Sequence, residues 1–304
     1  MLNLLEVISN TTCPEVSIGK HCFAPYECSL REKCWGFLPE NSIFDLRGGK
    51  TKQFSLYERG IISISDIPND VPLSREQQIQ RECVITGTTH VEKEEIRLFL
   101  DMLKYPLYYL DFETMGPAIP IYDGTRPYQT IPFQFSLHVV ENDGAEPVHH
   151  SFLADGIDDP RPQLLHELQR LLGSEGSIIA YNSGFEEGVL KELVEAFPEY
   201  AYWLEGILTR MVDLLLPFSN FLYYHASQKD TASLKKVLPA ITGRGYEELG
   251  IGDGMDASIA YERIIYSDAT QEEIASVRAD LLKYCKLDTE GMIWIVERLR
   301  HLCQ

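Results

Sequence analysis

Positive charge is scarce in this chain of 304 residues: 27 Lys and Arg face 46 Asp and Glu, a formal net charge of −19. Bulk attraction is therefore no basis for holding a polyanion, and a phosphate would have to be met by a local basic surface or by metal ions. Long apolar runs are missing as well. None reaches the roughly 18 residues of a membrane span, and the start MLNLLEVISNTTCPE has no basic segment leading into an apolar core. The expected setting is cytoplasmic, with no membrane partner. The seven cysteines are too few and too uneven for a secreted disulfide scaffold, and the eight histidines show no zinc-binding spacing. The chain has no internal repeat and no low-complexity tract.

What is present is a globular composition, 44% hydrophobic and 11% aromatic, in a chain long enough for one large domain and a smaller one. Residues 1–50 are rich in Cys, Pro and Gly without long periodicity, and are expected to form a small cysteine-rich module. Residues 51–104 read as a helical connector. Within it, FSLYERGIISISDIPNDVPLS sets Phe54, Leu56, Ile61, Ile62, Ile64 and Ile67 around Gly60. That pattern predicts helix, tight turn and helix, either a plain packing hairpin or an element that resembles the helix-hairpin-helix. REQQIQRECVITG and EKEEIRLFLDMLKYP predict two further helices, the second stopped by Pro106.

Residues 105–304 change character to strands alternating with helices. PLYYLDFET, PFQFSLHVVEND and PVHHSFLA read as three strands, followed by the helix PQLLHELQRLLG, the short strand SIIAYN and a helix from Phe185 to about Phe197. MVDLLLPF reads as a strand or buried segment. A long C-terminal helix starts at the capping box of Thr270 and Glu273. The expected fold class is α/β, a mixed sheet flanked by helices.

Strand alternation puts Asp111 and Glu113 on one face of PLYYLDFET and Leu110 and Phe112 on the other. Unpaired buried charges cost several kcal/mol, roughly, and no Lys or Arg lies nearby in sequence. A divalent cation is the first candidate partner. Further acids follow: Glu186 in the first turn of the helix after SIIAYN, and Asp288 four residues after Tyr284, on the same helix face. Asp213, isolated in MVDLLL, reads as structural, holding a neighbouring loop. Mg²⁺ and Mn²⁺ take oxygen ligands, and Asp111, Glu113, Glu186 and Asp288 supply enough of them for two ions. Each piece also has a plain reading. Asp-x-Glu suits a solvated strand edge, Ser183 with Glu186 forms the Ser-x-x-Glu of an ordinary capping box, and Tyr284 with Asp288 suits an ordinary helix pair.

In this order, LDFET, YNSGFEE and YCKLDT resemble the three motifs of the DnaQ-like exonuclease family, and the Tyr-x-x-x-Asp form of the third resembles its DEDDy branch. The resemblance spans residues 106–304 and implies an RNase H-like fold with two-metal 3′-to-5′ exonuclease chemistry on DNA or RNA. By position it implies that Asp111 bridges both metals, that Glu113 and Asp288 help hold the first, and that Tyr284 orients the attacking water. Asn182 matches the asparagine of the second motif. Glu186 departs from the family, which usually has Asp there. Candidate substrate contacts are Arg126, Tyr128 and Gln134 in TRPYQTIPFQF and Lys235 and Lys236 in ASLKKVLP. The expected partner is single-stranded DNA or RNA, or short oligonucleotides whose few phosphates need little positive charge. The rival from another class is a non-catalytic nucleic-acid or protein-binding module of the same fold, favoured by Glu186 and by the acidity.

Cys13, Cys22, Cys28 and Cys34 cluster in CPEVSIGKHCFAPYECSLREKC with gaps of eight, five and five residues. The close pair usual in structural zinc sites is absent, whereas iron–sulfur clusters accept freer spacing. HCFAPYECSLREKCW resembles the cysteine-rich ending of RecB-type and CRISPR-associated nucleases, which implies a [4Fe–4S] cluster; Zn²⁺ and four free thiols are the alternatives. The layout as a whole resembles the C-terminal part of a bacterial family in which a RecB-like nuclease precedes a DnaQ-like domain, and implies an upstream nuclease domain or partner. Cys83, Cys285 and Cys303 read as core or surface residues of helices.

Overall fold

The computed structural model describes residues 9, 16–246 and 249–304. The chain divides into two compact units, with the boundary between Thr88 and Thr89. The expected connector is thereby shared out: residues 51–88 belong to the first unit and 89–104 to the second.

Among the described residues 16–88 the first unit carries three α-helices, α1 (Arg31–Trp35), α2 (Lys50–Glu58) and α3 (Arg75–Thr86). Its core is aromatic and aliphatic. Trp35, Phe44 and Phe54 meet edge to face, with ring centres 4.5 Å apart for Trp35–Phe44 and 5.1 Å for Phe44–Phe54, over Ile43, Leu46, Leu56, Ile64 and Ile67. Buried glutamines fix the intervening loop, Gln53 donating to the Leu46 carbonyl and Gln80 to that of Asp45. α3 opens on a capping box of Ser74 and Gln77 and closes on left-handed Gly87. The helix expected after Gly60 is not formed. Residues 61–74 instead hold a short 3₁₀ turn, Ile64–Asp66, and a β-bridge from Ser63 to Ser42. Pro68 and Pro72 remove the amides a helix would need there.

The second unit is mixed α/β, as the alternation predicted. Its strands are β1 (His90–Val91), β2 (Leu107–Met115), β3 (Ile131–Val140), β4 (Val148–Leu153), β5 (Ser177–Ala180), β6 (Met211–Asp213) and β7 (Tyr223–Tyr224). Five form one sheet in the order β4-β3-β2-β5-β6, and β1 pairs with β7. β2–β3 and β3–β4 run antiparallel, β2–β5 and β5–β6 parallel. Its helices are α4 (Lys93–Asp101), α5 (Arg161–Leu171), α6 (Gly184–Ala196), α7 (Ala201–Leu208), α8 (Leu216–Ser219), α9 (Leu234–Thr242), α10 (Gly254–Tyr266) and α11 (Gln271–Cys303). Helices cover both faces of the sheet. Tyr108, Leu110 and Phe112 of β2 pack with Leu164, Leu168, Val189 and Leu190. Leu107 and Tyr109 face the other way, against Val237, Met292 and Ile295. By alternation Asp111 and Glu113 share that second face, the one crossed by α11, which at 33 residues is about 50 Å long. No described helix is long and apolar enough to cross a membrane.

Candidate functional site

The site is assembled from four segments of the second unit. β2 contributes Asp111 and Glu113 near its C-terminal end, where the ladder with β3 shifts register between Glu113 and Thr114; such irregularities re-aim side chains. After β5 the chain turns at Asn182, whose φ of 68° is one that Asn tolerates better than most residues. Asp213 at the end of β6 holds that turn, its Oδ1 accepting the Asn182 and Leu215 amides at 2.9 Å each. α6 starts two residues later and carries Glu186 in its first turn. α11 presents Tyr284 and Asp288 one turn apart, and the start of α9 brings Lys235. All of Asp111, Glu113, Glu186, Asp288, Tyr284, Asn182 and Lys235 line a single cavity of about 390 Å³.

Glu113, Glu186, Tyr284 and Asp288 are buried and Asp111 is partly exposed. Burial pushes every one of these carboxyls up, and for Asp111, Glu113 and Glu186 the charges of neighbouring acids add to it. Asp111 is held well above the usual carboxylate range by burial and by the charges of Asp288, Glu113 and Glu186. Glu113 and Glu186 rise to about 8, and Asp288 to about 7. One cation offsets four acids: Lys235 draws Glu113 and Asp288 downward. Its Nζ donates to the Gly252 carbonyl at 2.5 Å and lies 5.3 Å from the Tyr284 ring centre and 5.9 Å from that of Tyr246. Glu186 takes no part in a capping box; the Ser183 side chain makes no capping bond, and Glu186 Oε2 is buried without a hydrogen-bond partner.

Two site residues escaped sequence reasoning. Tyr246 donates to Asp288 Oδ1 at 2.5 Å from a loop with no periodicity to flag it. Cys285, expected as a plain helix residue, is fully buried with its Sγ 3.5 Å from Asp111 Oδ2. Its ligating atom and those of Asp111 and Glu113 all lie within 4.8 Å of one another. The signal was available, since Cys285 lies three residues before Asp288 and so shares its helix face.

Other expected residues lie elsewhere. Gln134 does not face a groove: it is buried opposite Glu113 on β3 and donates to the Leu281 carbonyl at 2.9 Å, anchoring α11. Arg126 pairs with Glu192 at 3.1 Å, Tyr128 is exposed, and Lys236 is exposed beside Lys235; none of the three lines the cavity. In the first unit Cys22 is buried while Cys28 and Cys34 are exposed, and Cys13 lies outside the described residues. Among the described residues, no set of three of these thiols comes close enough to share one metal.

A family model described as a domain of unknown function, DUF2779, matches residues 108–233, a stretch that contains Asp111, Glu113 and Glu186. An uncharacterized protein of Ureaplasma parvum, UU173, is 28% identical over 214 residues, which is 63% of this chain and 31% of that protein. The uncharacterized MG366 homolog of Mycoplasma pneumoniae is 26% identical over 212 residues, 64% of this chain and 32% of that protein. The chain thus matches about a third of the length of these curated relatives.

Proposed function

We propose that the chain is a divalent-metal-dependent 3′-to-5′ exonuclease on an RNase H-like domain, hydrolysing phosphodiester bonds of DNA or RNA. The observation that carries the reading is Glu186, whose Oε2 is buried and unpartnered in a cavity where three other carboxylates converge. A buried acceptor without a partner costs about 1–3 kcal/mol, more if charged, and four crowded acids beside one lysine leave the site short of positive charge. Oxygen donors of this kind match the preference of hard divalent cations. Asp111, Glu113, Glu186 and Asp288 would hold Mg²⁺ or Mn²⁺, which when bound supplies a nucleophilic water at neutral pH and charge neutralisation on the leaving oxygen.

The remaining work falls to the chain itself. The Tyr284 hydroxyl, pushed upward first by burial and then by Asp288, stays protonated and serves as a donor that orients a water or phosphate oxygen. Lys235 is the cation available to a non-bridging oxygen, and Asn182, fixed by Asp213, offers an amide at the rim. Cys285 donates its thiol hydrogen to Asp111 and limits that carboxylate's rotation. For the cysteine module, a [4Fe–4S] cluster or Zn²⁺ remains the implication of the resemblance; the described thiols do not form a ligand set, and no step is derived through one.

The test is digestion of 5′-labelled single-stranded DNA and RNA with Mg²⁺, Mn²⁺ or EDTA, comparing the wild type with Asp111→Ala and Asp288→Ala. The expected result is a ladder shortening from the 3′ end that EDTA and either substitution abolish. Metal binding that requires Asp111, with no cleavage of polymers or dinucleotides, would sink the nuclease reading in favour of a binding module.

A further inference from the structure

We propose a second nucleic-acid contact in the unit formed by residues 89–304: a cationic pocket at the far end of the α9–α11 pair that holds the phosphodiester backbone of a single strand whose 3′ end occupies the carboxylate cavity. The inference rests on the nuclease reading and names how its substrate is held.

The two helices run side by side in the same direction. Lys235 lies over Tyr284 at one end, Leu238 meets Gly291 in the middle, and Arg244, just past the end of α9, lies over Trp294 at the other. At that far end is a pocket of about 550 Å³ lined by Thr242, Arg244, Trp294, Glu297, Arg298 and His301, with Ile241 beneath. Trp294, Arg298 and His301 are spaced i, i+4 and i+7, so α11 presents them as one stripe. Helix rise puts the pocket roughly 13 to 15 Å from the Lys235–Tyr284 end, within reach of an oligonucleotide of about four or more residues.

The charge of this pocket runs against that of the molecule. In a chain of net charge −19, two arginines and a histidine gather around one carboxylate, Glu297. Elsewhere in this unit Arg97, Arg126, Arg161, Arg170, Arg263, Arg278 and Arg300 each pair with an Asp or Glu, and Arg210 is held by the carbonyls of Gly173, Glu175 and Gly176. Arg244 and Arg298 make no ion pair among the described residues. Arg244 is instead stacked 4.4 Å from the Trp294 ring centre, which orders its guanidinium and leaves its donor edge for another acceptor. An ordered arginine that lacks a protein carboxylate, as Arg244 is, suits phosphate oxygens, which it can bind bidentately, and exposed Arg298 adds a second cation beside it. A single-stranded backbone, rather than a duplex, fits a contact made by so few cations.

The experiment compares wild type, Arg244→Ala/Arg298→Ala, Arg244→Lys/Arg298→Lys and, as a control for lost charge, Arg170→Ala. Affinity for a fluorescein-labelled single strand of about twelve nucleotides is measured in EDTA across a salt series, and kcat/KM with Mn²⁺ is measured for that strand and for a dinucleotide. The double alanine variant is expected to bind the strand about tenfold more weakly, with the slope of log affinity against log salt reduced by about 1.4, two phosphate contacts at about 0.7 each. The ratio of kcat/KM for the strand to that for the dinucleotide falls by a similar factor, the lysine variant recovers part of both, and Arg170→Ala changes neither by more than about twofold. Strand binding that the double alanine variant leaves intact, or loses no more than Arg170→Ala does, overturns the pocket, as does a wild type that fails to bind the strand. Absence of cleavage by wild type, with strand binding still lost in the alanine variant, overturns the nuclease reading and leaves the pocket standing.

Discussion

Asp288 is pulled in two directions. Burial lifts its carboxyl to about 7, while the Tyr246 hydroxyl and the Lys235 charge pull it down. Glu113 and Glu186 sit at about 8, burial again the largest cause. Each value lies above that of the unfolded chain, so between about pH 4 and 8 the folded metal-free protein binds the extra protons, and these groups make stability fall as pH rises. Asp288→Asn removes one of the crowded charges and is expected to flatten that fall; denaturation midpoints in EDTA near pH 5 and pH 8 measure it, and an unaltered slope would refute the assignment. The same protons compete with metal. Mn²⁺ affinity, followed by calorimetry, should therefore rise between about pH 6 and 8, and Tyr246→Phe, which removes a donor that favours ionised Asp288, should move the rise to higher pH.

At the scale of elements, α11 links the site to the sheet. One residue past Asp288, Thr289 is buried and bonded to Ser136 Oγ at 2.7 Å and His138 Nδ1 at 2.8 Å on β3. Burial, with His149 and Lys286 nearby, lowers His138 to about 3, which keeps the ring neutral within this network. On another side, α9 approaches α11 so closely at Gly291 that a Cβ there would lie 2.9 Å from Leu238 Cδ2. Gly291→Val is therefore expected to wedge the helices apart and destabilise the fold by about 1–3 kcal/mol, read from urea midpoints. It should also weaken strand binding, because α9 carries Lys235 and leads into Arg244. The start of α11 was legible in Thr270 and Glu273, whose capping box the structure contains. α9 and α10 were not read from the sequence. α9 carries Pro239 in its interior, and α10 begins at Asp253 with its side chain capping the Asp256 amide, a signal shared by many loops.

For the whole molecule, the two units have separate cores, and the acids belong only to the one after Thr88. Calorimetric unfolding with Mn²⁺ should therefore raise the transition of residues 89–304 while leaving that of the first unit in place. Metal at about 100 times its Kd would stabilise the responding unit by about 2.7 kcal/mol. Equal shifts in both transitions, or a shift confined to the first unit, would contradict the site. The net charge of −19 leaves attraction for a polyanion to sparse exposed cations and to bound metal ions, which is why substrate length and salt are informative variables.

Local patterns decided the strands of the sheet, the shared face of Asp111 and Glu113, the helix start that carries Glu186 and the one-turn spacing of Tyr284 and Asp288, because these follow from the periods of strand and helix. Tertiary structure alone decided that these segments meet at one cavity, that Glu186 is left unpartnered rather than capping its helix, that Gln134 anchors α11, and that Tyr246 and Cys285 contact the acids. Those facts depend on partners tens to hundreds of residues away, and no local periodicity encodes which buried acceptor a distant donor will reach.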